Sequence, residues 1–288
     1  MKKSGAIAIR KQCRTQEFLR RIGVLELPPR TSPFDPGYDP VTLESHLAQS
    51  AHLFSILKIS MAGWLLAREE ATREKIAAAR RHGVPTVTGG SVFEIAVAQG
   101  QLRAYLDLCA DLGVNRIECA QGFTDTPLNP REVVRNATAR GLEVQFELGK
   151  KHDGPFDERV LRHLVQQGRQ WLDAGAVQLV VEARESAQGV GLFDDQGVLQ
   201  QHYADVLVEG LGLANLMFEA PTKPSQFALL KHFGRHVHLC NVRLEEVLRV
   251  EGYRRGLHSD SFELRNLRPD PPDRLRQGAF RSGIELHE

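Results

Sequence analysis

Four stretches of this chain end an apolar or alternating run on a glutamate: Arg116-Ile117-Glu118, Val144-Gln145-Phe146-Glu147, Val177 to Val181 followed by Glu182, and Leu216-Met217-Phe218-Glu219. A buried parallel strand reads as a near-continuous apolar run, and a charged residue at its end is delivered to the mouth of the sheet. One such glutamate is ordinary loop chemistry; four at equivalent positions form a pattern. Carboxylates brought within about 4–6 Å of each other raise one another's pKa unless a cation intervenes. A hard divalent cation taking oxygen ligands, with Mg2+ the default, would relieve the repulsion. Ion pairs with Lys58, Lys150, Lys151 and Arg184 would relieve it too, and the residues alone leave both solutions open. The same lysines suit an anionic substrate, supplying charge to bind it and, from a desolvated amine, a proton to give.

Side chains at equivalent strand ends need a scaffold of alternating strands and helices. The hydropathy pattern predicts strands over 22–27, 54–59, 84–88, 114–118, 143–147, 177–182, 215–219 and 236–241. Helices are predicted over 41–53, 68–81, 93–112, 129–140, 157–174, 201–211, 226–233 and 244–254, several of them stopped by a glycine such as Gly113 or Gly175. Most strand ends fall about 30 residues apart, the size of a βα unit. Eight such units imply an α/β fold, a (β/α)8 TIM barrel in a single domain over 21–262. It is flanked by an N-terminal basic arm, 1–20, and an Arg/Pro-rich C-terminal tail, 263–288. The open dinucleotide-binding alternative is disfavoured: Gly189-Val190-Gly191-Leu192-Phe193-Asp194 lacks the third glycine and leads into no helix.

In such a barrel the active site lies at the C-terminal ends of the strands. The residues expected there are Glu26, Lys58, Gly89, Gly90, Glu118, Glu147, Lys150, Lys151, Glu182, Arg184, Glu185, Glu219, Asn241, Arg254 and Arg255. In the fifth strand Glu143, Gln145 and Glu147 alternate with Val144, Phe146 and Leu148, so one face is polar and the other packs on helices. In the eighth, His236 and His238 share one face and Val237, Leu239 and Asn241 the other; with Asn241 at the mouth, the histidines face the helix layer. Trp64 and Trp171 read as packing residues.

Composition excludes several classes. A net charge of +1 over 288 residues gives no nucleic-acid footprint. No run of about 18 apolar residues predicts a membrane span, and the basic N-terminus has no apolar core of a secretory signal. Cys13, Cys109, Cys119 and Cys240 form no CxxC pair and have no His–Asn/Asp pattern beside them, which suits a reduced cytoplasm and argues against a thiol nucleophile.

Gly89-Gly90-Ser91-Val92-Phe93-Glu94, Leu148-Gly149-Lys150-Lys151, Glu182-Ala183-Arg184-Glu185-Ser186 with the glycine-broken run at 189–194, Phe218-Glu219-Ala220-Pro221 and Arg254-Arg255-Gly256-Leu257 resemble the phosphosulfolactate synthase family, in order over roughly 22–262. That resemblance implies a Mg2+-dependent lyase of the cytoplasm that adds sulfite to phosphoenolpyruvate, giving (2R)-phospho-3-sulfolactate on the way to coenzyme M or sulfolactate. It implies Mg2+ on Glu118, Glu147, Glu182 or Glu219. Lys150, then Lys151, would be the acid, acting beside Glu147. Lys58 and Arg184 with Glu185 would bind carboxylate and sulfonate, Gly89, Gly90 and Asn241 would line the site, and Arg255 would take the phosphate. A homo-oligomer is the expected assembly. Three loops depart from the family pattern. Lys58 is followed by Ile59-Ser60-Met61-Ala62-Gly63-Trp64 rather than Phe-Gly-Trp-Gly-Thr. Cys119-Ala120-Gln121-Gly122 replaces Ile-Ser-Asp-Gly, removing a metal or base ligand, and His258-Ser259 replaces an Arg-Gly of the phosphate loop. These changes keep open a barrel acting on another phosphorylated or carboxylated anion, and a stress-related scaffold without turnover.

Overall fold

The computed structural model describes residues 14–24, 26–59, 61–264 and 267. Eight parallel strands follow in chain order: β1 (Thr31–Asp35), β2 (Leu57–Ile59), β3 (Thr86–Thr88), β4 (Arg116–Cys119), β5 (Glu143–Leu148), β6 (Gln178–Val181), β7 (Leu216–Glu219) and β8 (His238–Arg243). Each pairs with the next and β8 pairs with β1, closing a (β/α)8 TIM barrel. The helices Pro40–Ser50, Glu69–Arg81, Pro130–Thr138, Glu158–Ala174, Gln201–Leu211, Lys223–Phe233 and Val247–Arg254 return the chain around it.

Local chemistry sets these elements. Asn129 accepts from the Glu132 amide ahead of Pro130, and Asp157 accepts from the Val160 amide at 2.7 Å, so two orphan helix N–H groups find oxygen. In β5, Val144, Phe146 and Leu148 turn outward, and Phe146 stacks on Trp171 of the helix Glu158–Ala174 with centroids 4.2 Å apart. The main core is this shell between barrel wall and helices, whereas Val180, Met217 and Cys240 form a separate apolar cluster inside the barrel. Removing Phe146 to Ala would cost about 3–5 kcal/mol.

Three expectations are corrected. The first strand is Thr31–Asp35, not 22–27: Ile22 is exposed in a turn, and the register against β8 slips between Thr31 and Pro33, where a residue lacking an N–H is tolerated. The helix over 93–112 is two helices, Gly90–Ala98 and Leu102–Leu112, parted at Gly100 with φ 66°. His238 faces the barrel interior beneath Cys240, its Nε2 2.7 Å from Ser55 Oγ, because Asn241 has φ 53° and strand alternation breaks there. Burial, with Arg30, Arg254 and Arg116 nearby, lowers His238 to about 3. Leu267, within the expected tail, is buried against the core; residues 265–266, 268–288 and residues 1–13 of the arm lie outside the described residues.

Candidate active site

At the C-terminal ends of the strands, four glutamates meet two lysines. Lys58 from β2 lies with its Nζ 2.7 Å from Glu118 Oε1, 3.8 Å from Glu219 Oε1, and donates to Asn241 Oδ1 at 3.0 Å. Lys151 follows β5 in the turn at Gly149; its Nζ donates to Glu147 Oε1 at 2.9 Å and to Glu182 Oε2 at 2.6 Å. The carboxylates are tied to the wall as well. Glu118 accepts from the Gly90 amide at 3.0 Å and from Gln145 Nε2 at 2.8 Å, and Glu219 accepts from the Ala183 amide at 2.9 Å and from Asn241 Nδ2. Glu182 accepts from the Arg184 amide at 2.6 Å. Gly90 must approach Glu118 closely: a Cβ there would stand 2.8 Å from that of Ala120. Beneath Glu118 a polar file continues through Gln145 to Arg116, whose Nη1 donates to Gln145 Oε1 at 3.3 Å.

All four glutamates are 3% exposed or less, so the low-dielectric surroundings bear on the charge of Glu147, Glu182 and Glu219. Burial, reinforced by Glu182, pushes Glu219 up to about 8 and Glu147 well above the ordinary carboxylate range. Burial alone would raise Glu182 too, but the Lys151 ammonium outweighs it and holds that carboxyl at about 2. Burial disfavours the charge on both lysines, yet their carboxylate partners hold each above its ordinary value. The cluster therefore keeps protons on part of its acid set while both ammonium groups stay charged.

The structure thus brings together Lys58, Glu118, Glu147, Lys151, Glu182, Glu219 and Asn241, with Gly89 and Gly90 beside them. Arg184 flanks the group; its Nη1 donates to the Lys151 carbonyl at 3.2 Å, and Glu185 is exposed on the same loop. Lys150, the first-named acid, stands outside, half exposed and paired with Asp125 at 2.9 Å. Arg254 and Arg255 are corrected to the opposite pole. The helix carrying them runs antiparallel to the strands, so Arg254 reaches Arg235 O, Val237 O and Arg30 O ahead of β8 and β1, and Arg255 pairs with Glu251. Glu26, also expected at the mouth, precedes β1 and pairs with Arg20. A cavity of about 500 Å³ adjoins the cluster at Glu147, lined also by Asp125, Lys150, Phe156, His163 and Gln167.

Residues 29–260 match the family model for (2R)-phospho-3-sulfolactate synthase (ComA). The chain belongs to this family. A phosphosulfolactate synthase from Methanocaldococcus jannaschii is 31% identical over 229 residues, 79% of this chain and 91% of that protein. One from Methanothermobacter thermautotrophicus is 29% identical over 240 residues, 82% and 92% of the two chains. Among solved structures, the YdjI aldolase of Escherichia coli K12 shares the fold, with a TM-score of 0.51 at 13% identity over 78% of each chain.

In two of the three family departures the altered side chains Gln121 and His258 turn away from the cluster, although Ala120 and Gly122 lie against it. Gln121 turns behind the barrel wall, donating to Thr126 O at 3.0 Å and accepting from Gln167 Nε2 at 3.1 Å, so an Asp at this position would not reach the mouth. His258 packs its ring against Phe227 and Tyr253. The third, the loop after Lys58, lies against the site, its Met61 amide 3.5 Å from where a Cβ on Gly89 would stand. For Mg2+, the donors are hard oxygens of the right kind. Among the described residues no three acid, His or Cys side chains converge as a ready metal cage. Lys151 stands between Glu147 and Glu182, so a divalent ion could use these donors only by displacing the ammonium and their protons.

Proposed function

We propose that the chain is a phosphosulfolactate synthase in activity as well as in family, a carbon–sulfur lyase that adds sulfite to phosphoenolpyruvate. The supporting observation is Lys151, a protonated amine lodged between two buried carboxylates at the barrel mouth. In this reading the sulfite sulfur gives its electron pair to the methylene carbon, and the carbon–sulfur bond forms as the double bond's electrons move toward the carboxylate. The resulting enolate takes a proton from Lys151 at the carbon bearing the phosphate, and bisulfite or water returns a proton to the amine. Atoms and charge balance with no oxidant and no leaving group.

A donor works best with a pKa near the operating pH, and an ammonium between two carboxylates is too weak an acid. Substrate entry supplies the correction: protons or cations drawn onto Glu147 and Glu182 remove the attraction that holds the Lys151 proton. Glu147, Glu182 and Glu219 are the residues that would hold Mg2+, which when bound supplies positive charge for the developing enolate. Lys58, fixed by Glu118 and Asn241, places a second positive charge for the substrate carboxylate. The deciding assay follows phosphoenolpyruvate loss with and without sulfite and Mg2+. Sulfite-dependent loss that disappears in Lys151→Ala is the expected result; loss without sulfite, or none at all, overturns the assignment.

A further inference from the structure

Glu94 belongs to none of the ion pairs at the mouth, yet it is 1% exposed on the helix Gly90–Ala98. Its two oxygens accept four hydrogen bonds, all from one short piece of the loop after β4. Oε1 accepts from the Gly122 amide at 2.9 Å; Oε2 accepts from the Phe123 and Thr124 amides, each at 3.0 Å, and from Thr124 Oγ1 at 3.1 Å. Charge-assisted bonds to backbone N–H groups in a buried site are short and strong, so this loop is pinned from the helix side. On its other side the loop carries a lysine. The Gly122 carbonyl accepts from the Lys151 amide at 2.8 Å. A Cβ on Gly122 would stand 3.1 Å from both Cγ and Cε of Lys151 and 3.3 Å from Glu94 Oε1. One glycine is therefore gripped by a carboxylate on one face while the backbone and the aliphatic stem of Lys151 rest on the other.

We infer that Glu94 is a positioning residue, which fixes Gly122–Thr124 as the platform that aims the Lys151 ammonium between Glu147 and Glu182. The inference rests on Lys151 as the proton donor, but it can be judged apart from that reading, because aim and turnover are read by different measurements. Glu94→Gln keeps the shape of the side chain but turns an N–H2 toward one side of the loop, leaving at least the Gly122 amide without an acceptor. The platform loosens, and the ammonium moves out from between the two carboxylates.

The experiment is amine acetylation by acetic anhydride, quantified residue by residue by mass spectrometry, in the full-length wild-type and Glu94→Gln proteins. Once the platform loosens, the Lys151 amine is no longer held between its two carboxylates and becomes more accessible, so Lys151 is expected to label several-fold faster in Glu94→Gln. Lys150, outside the cluster, is the internal control and keeps its rate. In the sulfite assay kcat falls about 10- to 100-fold with KM for phosphoenolpyruvate little changed, the signature of a misplaced acid. Glu94→Asp, which keeps the charge, restores part of both. Wild-type labelling of Lys151 in a folded Glu94→Gln protein overturns the inference, whatever its activity. If Glu94→Gln does not fold, Gly122→Ala presses on the Lys151 stem from the same platform; faster Lys151 labelling supports the inference and an unchanged rate overturns it. Accelerated labelling in a protein that adds no sulfite supports the positioning role and removes only the reaction.

Discussion

Lys58 and Glu118 lie 2.7 Å apart with side chains only 8% and 0% exposed, a buried ion pair spanning β2 and β4. Such a pair contributes little net stability, but removing one partner leaves a charge with no water and no counter-ion. Lys58→Met is expected to destabilise the fold by about 3–5 kcal/mol in urea unfolding, while Lys58→Met with Glu118→Leu recovers most of the loss. Recovery of stability without recovery of turnover would show that the pair is kept for chemistry. A loss below about 1 kcal/mol in the single variant, a surface-pair value, contradicts the buried geometry.

Lys150 and Lys151 adjoin in sequence and part company in space. Lys151→Ala removes the proposed proton donor and should lower kcat by about 10²–10⁴-fold. Lys150→Ala loses only an exposed pair with Asp125, and its kcat should stay within about threefold, as surface pairs contribute little. Steady-state kinetics on the two variants decides, and the reverse ranking would sink the assignment.

The acid set gives the site a pH signature. Glu219 sits at about 8 in the fold against an ordinary 4.5, so between those values the folded protein holds a proton that the unfolded chain has lost. Its contribution therefore makes stability fall as pH rises through that window. Glu182, held at about 2, acts oppositely: its contribution is complete above 4.5 and is lost as pH falls toward 2. Glu219→Gln should flatten the fall in stability that Glu219 contributes as pH rises through that window. Mg2+ binding should release protons near pH 7 and tighten up to about pH 8, because ligands must ionise first. Calorimetry in buffers of different ionisation enthalpy reads that release; binding with no proton exchange argues against these ligands.

Restoring the family's aspartate at position 121 should bring no gain. Gln121→Asp shortens a side chain that bonds Thr126 and Gln167, costing about 1 kcal/mol per lost bond. Turnover should not rise. An increase would mean that this position reaches the mouth after all.

Arg255→Ala tests the two poles. The residue pairs with Glu251 at the end of the barrel away from the cluster, so KM for phosphoenolpyruvate should not change while stability drops by about 1–3 kcal/mol. A large rise in KM with unchanged stability would return Arg255 to the substrate.

Much of this was legible in the residues, for physical reasons that also explain the misses. The strand-end glutamates could be aligned because parallel strands buried on both sides leave an unbroken apolar signature ending at the mouth. β1 left none: Thr31-Ser32-Pro33-Phe34-Asp35 is held as a strand by closure between β8 and β2, a long-range demand with no local pattern. The choice between Lys150 and Lys151 is made by the turn at Gly149, with φ 116°, which a run of charged residues cannot announce. Arg255 was misplaced because its motif was read without the direction of its helix, which the barrel topology fixes. Glu94 stood in a recognised motif, but its burial and its bonds to a loop 28 to 30 residues on appear only in three dimensions.

The left-handed turn at Asn241 has a consequence for how change can enter β8. Below it, His238 and Cys240 look into the barrel; at it, Asn241 does so as well, bonded to Lys58 and Glu219. One strand therefore serves the apolar plug and the charged rim in consecutive positions, which strict alternation forbids. Insertions or deletions that drifting loops absorb would here exchange Asn241 for a hydrophobic neighbour, silencing the rim while leaving the cylinder closed.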